Sequence, residues 1–183
     1  MLCFVTGCRR AELLGLPWDN VDLEKGEIHI KQSLICIEGI PRISGFTKNY
    51  SSMRTIPIPK RIITLLCDWR QKQLAESLTP GYCNSNNLVF TQANGQWIIP
   101  NYFSRNFKNV LKRLRFPKTL HVHSIRHTWA TNLIQNKVPI TDIQVLGGWS
   151  RPNTLLNVYS HAIHETQVEA IHNLSDEIFS LLE

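Results

Sequence analysis

The sequence predicts an α+β fold, a mainly helical domain with a small three-stranded antiparallel sheet. Apolar and polar residues alternate, as in half-buried strands, at 27–34, 42–48 and 54–58. From residue 60 onward, apolar residues recur every three to four positions, as in amphipathic helices. A length of 183 residues suits one domain, or one domain with a tail, and allows a sizeable core.

The predicted elements follow one another along the chain with short connections. Residues 1–16 indicate the end of one helix, a glycine turn and a second helix, which Pro17 ends. The strands come next, with a turn at Glu38-Gly39, and the prolines of the third strand place it at a sheet edge. A polar loop at 79–87 precedes a short buried strand at 88–90. The helices after the sheet are predicted at 60–78, 101–115, 124–136, 140–146, 152–160 and 163–182.

The composition favours a polyanionic partner and no membrane span. The chain has 20 Lys and Arg against 14 Asp and Glu, a formal net charge of +6, and an isoelectric point of about 9.2. No apolar run approaches the roughly 20 residues of a membrane-spanning helix. The five cysteines lack C-x-x-C and zinc-ligand spacing, which predicts reduced thiols and no metal site. We therefore expect a soluble, cytoplasmic protein.

Six side chains could together bind one phosphodiester and attack it. Two guanidiniums, an ammonium, an imidazole and an indole N–H would contact the phosphate, and a phenol would be the nucleophile. They belong to Arg9, Arg126, Lys48, His123, Trp149 and Tyr159. His123 and Arg126 lie three residues apart, on one face of a predicted helix.

Each of these residues taken alone also fits a plainer role. His123 and Arg126 would then belong to a solvated helix face, and Arg9 would form an ion pair with Glu12. Lys48 would be solvated, and Trp149 and Tyr159 would pack in the core. Since neighbouring helical residues diverge, we expect one of Arg9 and Arg10 to face the site and the other to face solvent. His127 points about 100° away from Arg126 around the helix, so we interpret it as structural.

Taken together, the motifs resemble the catalytic domain of the tyrosine recombinases, the phage-integrase family. Residues 6–16 (TGCRRAELLGL) are similar to the family's T-G-x-R-x-x-E-L segment, and Thr47-Lys48 resembles its β-hairpin lysine. Residues 123–131 (HSIRHTWAT) resemble the H-x-L-R-H-T box, with isoleucine in place of the usual leucine. Residues 146–150 (LGGWS) resemble the final box, in which most members have His where this chain has Trp, and Tyr159 follows at the nucleophile's position.

The resemblance spans nearly the entire chain and implies a site-specific recombinase or integrase of a phage or mobile element. Members usually carry an N-terminal helical DNA-clamping domain and a first catalytic-domain helix that the chain lacks, so we expect residues 1–183 to be a truncated catalytic domain. The implied reaction is DNA cleavage and rejoining through a 3′-phosphotyrosyl intermediate, without metal or other cofactor. The implied partners are double-stranded DNA and further copies of the chain, forming a tetramer on DNA.

The resemblance also implies a role for each residue of the set. Arg9 and Arg126 would hold the non-bridging oxygens of the phosphate, and Trp149 would donate a third hydrogen bond. Tyr159 would attack phosphorus, and His123 would manage the proton of its phenol. Lys48 would protonate the leaving 5′-oxygen. The basic face of the 101–115 helix, together with Arg42 and Arg151, would hold the DNA backbone without reading sequence. That face comprises Arg105, Lys108, Lys112 and Arg115.

Two other functions remain open at this level. A type IB topoisomerase uses a closely related set of residues on a related core. Residues 140–159 also fit a helix-turn-helix, as in a regulator that binds DNA without cutting it.

The C-terminal segment carries two further expectations. We expect Tyr159 to be mobile, on a helix that need not be docked when DNA is absent. An apolar face would pack either on a neighbouring protomer or on its own domain. This face comprises Ile163, Val168, Ile171, Leu174, Ile178 and Leu181.

Overall fold

The computed structural model describes residues 1–45 and 52–180, which form a mainly helical domain with small antiparallel sheets, so the predicted α+β class is confirmed. The strands are β1 (Val21–Asp22), β2 (Glu27–Ile30), β3 (Gln32–Ile37), β4 (Ile40–Gly45) and β5 (Arg54–Pro57). The helices are α1 (Leu2–Thr6), α2 (Arg10–Leu14), α3 (Lys60–Ser77), α4 (Pro100–Arg113), α5 (Val122–Gln135), α6 (Ile140–Gly147) and α7 (Pro152–Ser180). A 3₁₀ turn (Trp18–Asn20) connects α2 to β1.

The strands form two antiparallel sheets, so the prediction of a single sheet from 27–34, 42–48 and 54–58 is wrong in its membership. β2 lies between β1 and β5, with Ile28 opposite Ile56. β3 and β4 form a separate hairpin, turned at Glu38-Gly39, where both residues have positive φ. The predicted strand 27–34 is divided at Lys31, so its two halves join different sheets. The edge position predicted for the last strand is confirmed, because β5 ends the order β1-β2-β5.

Two apolar clusters form the core. The first packs the sheet against α2 and α3, and its buried members include Leu13, Leu16, Ile28, Ile30, Ile56, Ile62 and Leu66. The second joins α5, α6 and the start of α7, with Trp129, Ala130, Ile134, Ile143, Leu155 and Tyr159. In the predicted strand at 88–90, Leu88 and Val89 are buried and Phe90 is half-buried, and the segment pairs with 16–17 through an isolated bridge from Leu88 to Pro17.

The C-terminal segment contains the two helices predicted at 152–160 and 163–182, joined at a kink. They adjoin within α7, and Tyr159 at the junction has non-helical dihedral angles (φ −115°, ψ 16°). No Gly or Pro occurs between Asn153 and Ser180, so the two helices meet at a kink and are not separated by a loop. Within the described ranges, none of the helices is long and apolar enough to cross a membrane.

Two glycines with positive φ bring the chain segments of the site together. Gly7 ends α1 with φ 60°, and a Cβ there would overlap the Trp129 ring of α5. Gly148 ends α6 with φ 68°, and a Cβ there would lie 2.7 Å from Nη1 of Arg54. Both positions require glycine, because the left-handed backbone and the close neighbour each exclude a larger side chain.

Candidate active site

Arg9 stands at the N-terminal end of α2 and contacts two parts of the site. Its backbone N–H donates to Oε2 of Glu12 at 2.8 Å, and its Nη1 donates to Oε1 of the same carboxylate at 2.7 Å. Its Nη2 donates to the carbonyl of Gly148 at 2.9 Å. The ion pair with Glu12 is therefore present. Because the Arg9 side chain is still 41% exposed, the guanidinium also remains open to a ligand.

Arg54 is a buried member of the site that sequence reasoning missed. Its guanidinium donates to both carboxylate oxygens of Glu12, at 2.8 and 3.1 Å, and both side chains are at most 2% exposed. Its Nε donates to the carbonyl of Leu146 at 2.6 Å. Arg54 thus connects β5 to α2 and to the end of α6. A sequence signal exists, since Arg54 shares the inward face of β5 with Ile56, where a charge needs a buried partner.

The electrostatics of Glu12 follow from these contacts. Burial by itself would raise the pKa of the Glu12 carboxyl, but the hydrogen bonds and charge of Arg54, with the charge of Arg9, lower it below its ordinary value. Glu12 is consequently an anion that fixes two guanidiniums in place.

Arg126 is 3% exposed and has an unpartnered donor. Its Nη1 donates to the carbonyl of Gly7 at 2.7 Å, whereas its Nη2 has no hydrogen-bond partner within residues 1–45 and 52–180. Burial first, and then the positive charge of Arg9, lower the pKa of Arg126 to about 10. An incoming anion would satisfy the Nη2 donor and offset the repulsion between the two guanidiniums.

Trp149 contacts Arg126 through the face of its ring. The guanidinium carbon lies 3.6 Å from the ring centroid, and Trp129 stacks at 6.3 Å with an interplanar angle of 18°. A Cβ on Gly147 would overlap the indole, so the ring folds back over that glycine. The half-buried Trp149 thus supports the Arg126 guanidinium, and donation by its indole N–H stays a prediction.

One cavity of about 360 Å³ brings Arg9, His123 and Arg126 together. Arg10, Lys108 and His121 also line it. The expectation that Arg10 or Arg9 would face solvent is wrong, because Arg10 donates to the carbonyl of Pro100 and to Ser104 Oγ. Those bonds hold the start of α4 beside the cavity, which explains why Lys108 reaches it.

The phenol of Tyr159 is docked in this structure, although we expected a helix that need not be docked. Tyr159 is 6% exposed, and its ring meets the Trp149 ring edge-on, with centroids 6.5 Å apart. Its hydroxyl lies 2.9 Å from Nδ1 of His127. His127, which we interpreted as structural, thus contacts Tyr159 and does not line the cavity of Arg9 and Arg126. Burial raises the pKa of the Tyr159 phenol, and the charge of Arg126 opposes that change.

The two histidines of α5 contact each other. The rings of His123 and His127 meet edge-on, with centroids 4.6 Å apart. Burial lowers the pKa of both imidazoles, and the positive charge of Arg126 adds to the effect. Both rings are consequently neutral near neutral pH, so each offers a ring nitrogen as a proton acceptor.

The predicted DNA-binding residues are all exposed, but the four assigned to the 101–115 helix do not all lie on it. Arg105, Lys108 and Lys112 lie on α4. The helix ends at Arg113, two residues earlier than predicted, and Arg115 follows it with φ 58°. A cavity of about 520 Å³ is lined by the side chains of Lys108, Lys112, Arg115 and Lys118, among others. Arg42 lies on β4 and Arg151 precedes α7, on other parts of the surface.

Two further predictions concern Lys48 and metal binding. Lys48, with Thr47, lies outside the described residues. Within the described parts of the chain, no group of three or more His, Cys, Asp or Glu side chains is arranged to hold a metal ion.

Relatives in sequence cover almost the whole chain. The family model described as "Phage integrase family" matches residues 1–166. The tyrosine recombinase XerC-like protein of Caldanaerobacter subterraneus subsp. tengcongensis is 35% identical over 188 residues, which cover 96% of this chain and 48% of that protein. The ICEBs1 integrase of Bacillus subtilis is 26% identical, with 96% of this chain and 47% of that protein covered. The chain thus spans about half the length of these relatives.

Solved structures match this chain in fold. The Tn1549 transposon integrase, solved in complex with transposon right end DNA, matches with a TM-score of 0.80 and 23% identity over 95% of this chain and 57% of that chain. The XerA recombinase matches with a TM-score of 0.70 and 20% identity over 92% of this chain and 55% of that chain. These likenesses concern the fold, and the family model concerns the sequence. The chain belongs to the phage integrase family of tyrosine recombinases.

Proposed function

We propose that this chain is the catalytic domain of a site-specific DNA recombinase that cleaves and rejoins strands through a 3′-phosphotyrosyl intermediate. The observation that carries the proposal is the unpartnered Nη2 of Arg126, on a side chain that lines one cavity with Arg9 and His123. A buried guanidinium donor needs an acceptor, and an anion is the strongest one. A phosphodiester supplies that charge together with a group that a nearby phenol can attack.

In this reaction the guanidiniums stabilise the charge that develops on the phosphate. Arg9 and Arg126 bind the non-bridging oxygens, and the buried contacts of Glu12 with Arg9 and Arg54 keep the geometry fixed before DNA arrives. The phenol oxygen of Tyr159 forms a bond to phosphorus and loses its proton to an imidazole of α5, as the bond to the 5′-oxygen breaks. Lys48 supplies the proton for that oxygen. The phosphotyrosyl link conserves the energy of the phosphodiester, so rejoining needs no cofactor.

Double-stranded DNA is the proposed partner, held by the exposed cations of α4 and the residues after it. Lys108 lines both the cavity of Arg9 and Arg126 and the basic cavity beyond it. A continuous backbone path from the second cavity into the first would therefore lead DNA to the phenol. Contacts of this kind are electrostatic and independent of sequence.

A tetramer on DNA is the proposed assembly. Four apolar side chains of α7 are between 44% and 64% exposed, namely Val168, Ile171, Leu174 and Ile178. Only Ile163 of the predicted face packs on the domain's own second cluster, and Leu181 lies outside the described residues. These exposures support the pairing of α7 with a neighbouring protomer rather than with its own domain.

The proposal is tested by covalent capture on DNA. The full chain is incubated with labelled nicked duplexes of randomised sequence around the nick, and adducts that survive denaturant are isolated and sequenced. Recombinase activity predicts adducts on a restricted set of sequences and exchange of strands between duplexes that carry them. Site-independent relaxation of supercoiled DNA would identify a topoisomerase instead. Binding without any adduct would identify a non-cutting regulator and refute the proposal.

A further inference from the structure

His127 contacts the proposed nucleophile directly. Its Nδ1 lies 2.9 Å from the hydroxyl oxygen of Tyr159, and the two ring centroids are 5.8 Å apart. Tyr159 is only 6% exposed, so its O–H must find an acceptor within the protein. A neutral imidazole with its proton on Nε2 supplies that acceptor at Nδ1.

His123 occupies a different position from His127. It is exposed and lines the cavity with Arg9 and Arg126, where the phosphate is proposed to bind. His127 does not line that cavity and meets the phenol instead. The two imidazoles, in edge contact with each other, therefore face the phosphate and the nucleophile separately.

We infer that His127 is a catalytic residue that takes the phenol proton of Tyr159 during cleavage and returns it during rejoining. The inference rests on the proposed function, because it assigns a role within the same reaction. As the phenol oxygen of Tyr159 bonds to phosphorus, its proton passes to Nδ1 of His127. The bond from phosphorus to the 5′-oxygen breaks, and that oxygen takes a separate proton from the ammonium of Lys48. Rejoining reverses both transfers.

The charges around His127 favour a base that becomes stronger when DNA binds. His121, His123 and Arg126 lie on or next to its own helix, and Tyr159 faces it from α7. Burial, followed by the charges of His121 and Arg126, lowers the pKa of His127. A phosphate bound at Arg126 would cancel part of that positive charge and raise the proton affinity of His127. Because the phenol pKa is raised, the proton leaves only as the bond to phosphorus forms.

The test isolates the nucleophile's proton from the leaving group's proton. His127→Asn places an amide oxygen near the Nδ1 position, which accepts the phenol hydrogen bond but cannot take the proton. His29→Asn is the matched control, because that half-buried histidine of β2 contacts Thr55 and lies outside the cavity. The substrate is a nicked duplex recovered from the covalent capture, made either with its 5′-bridging oxygen or with sulfur there. The sulfur leaves as a thiolate, which does not need a proton from a general acid.

The expected result is a fall of about 100-fold in the single-turnover rate of adduct formation by His127→Asn on both substrates. Lys48→Ala should lose rate only on the oxygen substrate, and His29→Asn should match the wild type. The wild-type rate should rise with pH as the imidazole loses its proton, and His127→Asn should lack that rise. A His127→Asn rate within about threefold of wild type on both substrates would overturn the inference and leave the proposed function standing. If the substrate with sulfur at the 5′-bridging position restored the rate of His127→Asn, the inference would also be overturned. No adduct with the wild type would overturn both.

A second measurement needs no DNA. Nitrogen-15 NMR of the histidine rings in the full chain should show His127 protonated at Nε2, with an unprotonated Nδ1 whose shift changes in Tyr159→Phe. A proton on Nδ1 would make His127 the donor to the phenol oxygen, and the inference would fail.

Discussion

Replacing Arg54 by methionine should destabilise the protein by about 3 kcal/mol, because it leaves the Glu12 carboxylate buried without its main partner. Arg54 makes two of the hydrogen bonds to that carboxylate, and the Glu12 side chain is 1% exposed. Breaking one side of a buried pair typically costs about 3–5 kcal/mol. The lower end applies, because Arg9 still donates to both oxygens of Glu12.

The sign of the pH dependence gives a second check on this prediction. In the wild type the folded-state pKa of Glu12 is lowered, so its contribution to stability is present above the unfolded pKa of about 4.3 and is lost as pH falls below that value. In Arg54→Met, burial dominates and raises the Glu12 pKa, so the carboxyl protonates readily. The difference in stability between the two proteins should be largest near pH 7 and shrink as pH falls through this range.

Urea denaturation at several pH values measures both effects. The control is Lys72→Met, which removes one partner of the exposed Lys72–Glu76 pair, whose lysine side chain is 63% exposed. It should cost less than about 1 kcal/mol. If Arg54→Met were no more destabilising than Lys72→Met, or if its effect did not depend on pH, the buried ion pair would not hold this site together.

Three further results are expected. Gly148→Ala should destabilise the protein by about 2 kcal/mol or more, because of backbone strain and the contact of the new methyl group with Arg54. Gly39→Ala, at φ 79° with no atom within 4 Å of the new Cβ, should show the strain alone. Equal shifts of the thermal unfolding temperature in the two variants would contradict the contact with Arg54. The absorbance difference between wild type and Tyr159→Phe should titrate above the ordinary phenol pKa of about 10, and a lower value would refute burial as the dominant cause. The four cations of α4 and the residues just after it are Arg105, Lys108, Lys112 and Arg115. Replacing all four by Gln should reduce the log–log salt slope of DNA binding by about 0.9 for each phosphate that is no longer neutralised. An unchanged slope would show that this surface is only solvated.

Local patterns predicted the helices well and the strand pairing less well. The helical period places α3, α5 and α6 within a few residues of their observed bounds, because that period depends on residues a few positions apart. The sheets depend on distant partners. Alternation in 27–34 could not show that the chain changes sheets at Lys31, or that β1 replaces β4 beside β2.

The motif residues of the site were predictable, and their supporting contacts were not. Arg9, His123 and Arg126 line one cavity, as their motif spacing suggested. The ion pair between Arg54 and Glu12 joins residues 42 positions apart, so no local pattern contains it. The His127–Tyr159 contact depends on how α7 packs against α5, which helical periodicity within either segment does not determine.

Identification of the residue that becomes bonded to DNA is the most direct test of Tyr159 as the nucleophile. The adduct formed by the full chain on a captured nicked duplex is digested with nuclease and protease, and the peptide that keeps a nucleotide is sequenced by mass spectrometry. We expect a 3′-phosphotyrosyl bond at Tyr159 and no adduct with Tyr159→Phe. A nucleotide on another residue, such as Tyr82 or Tyr102, or an adduct that persists in Tyr159→Phe, would contradict it.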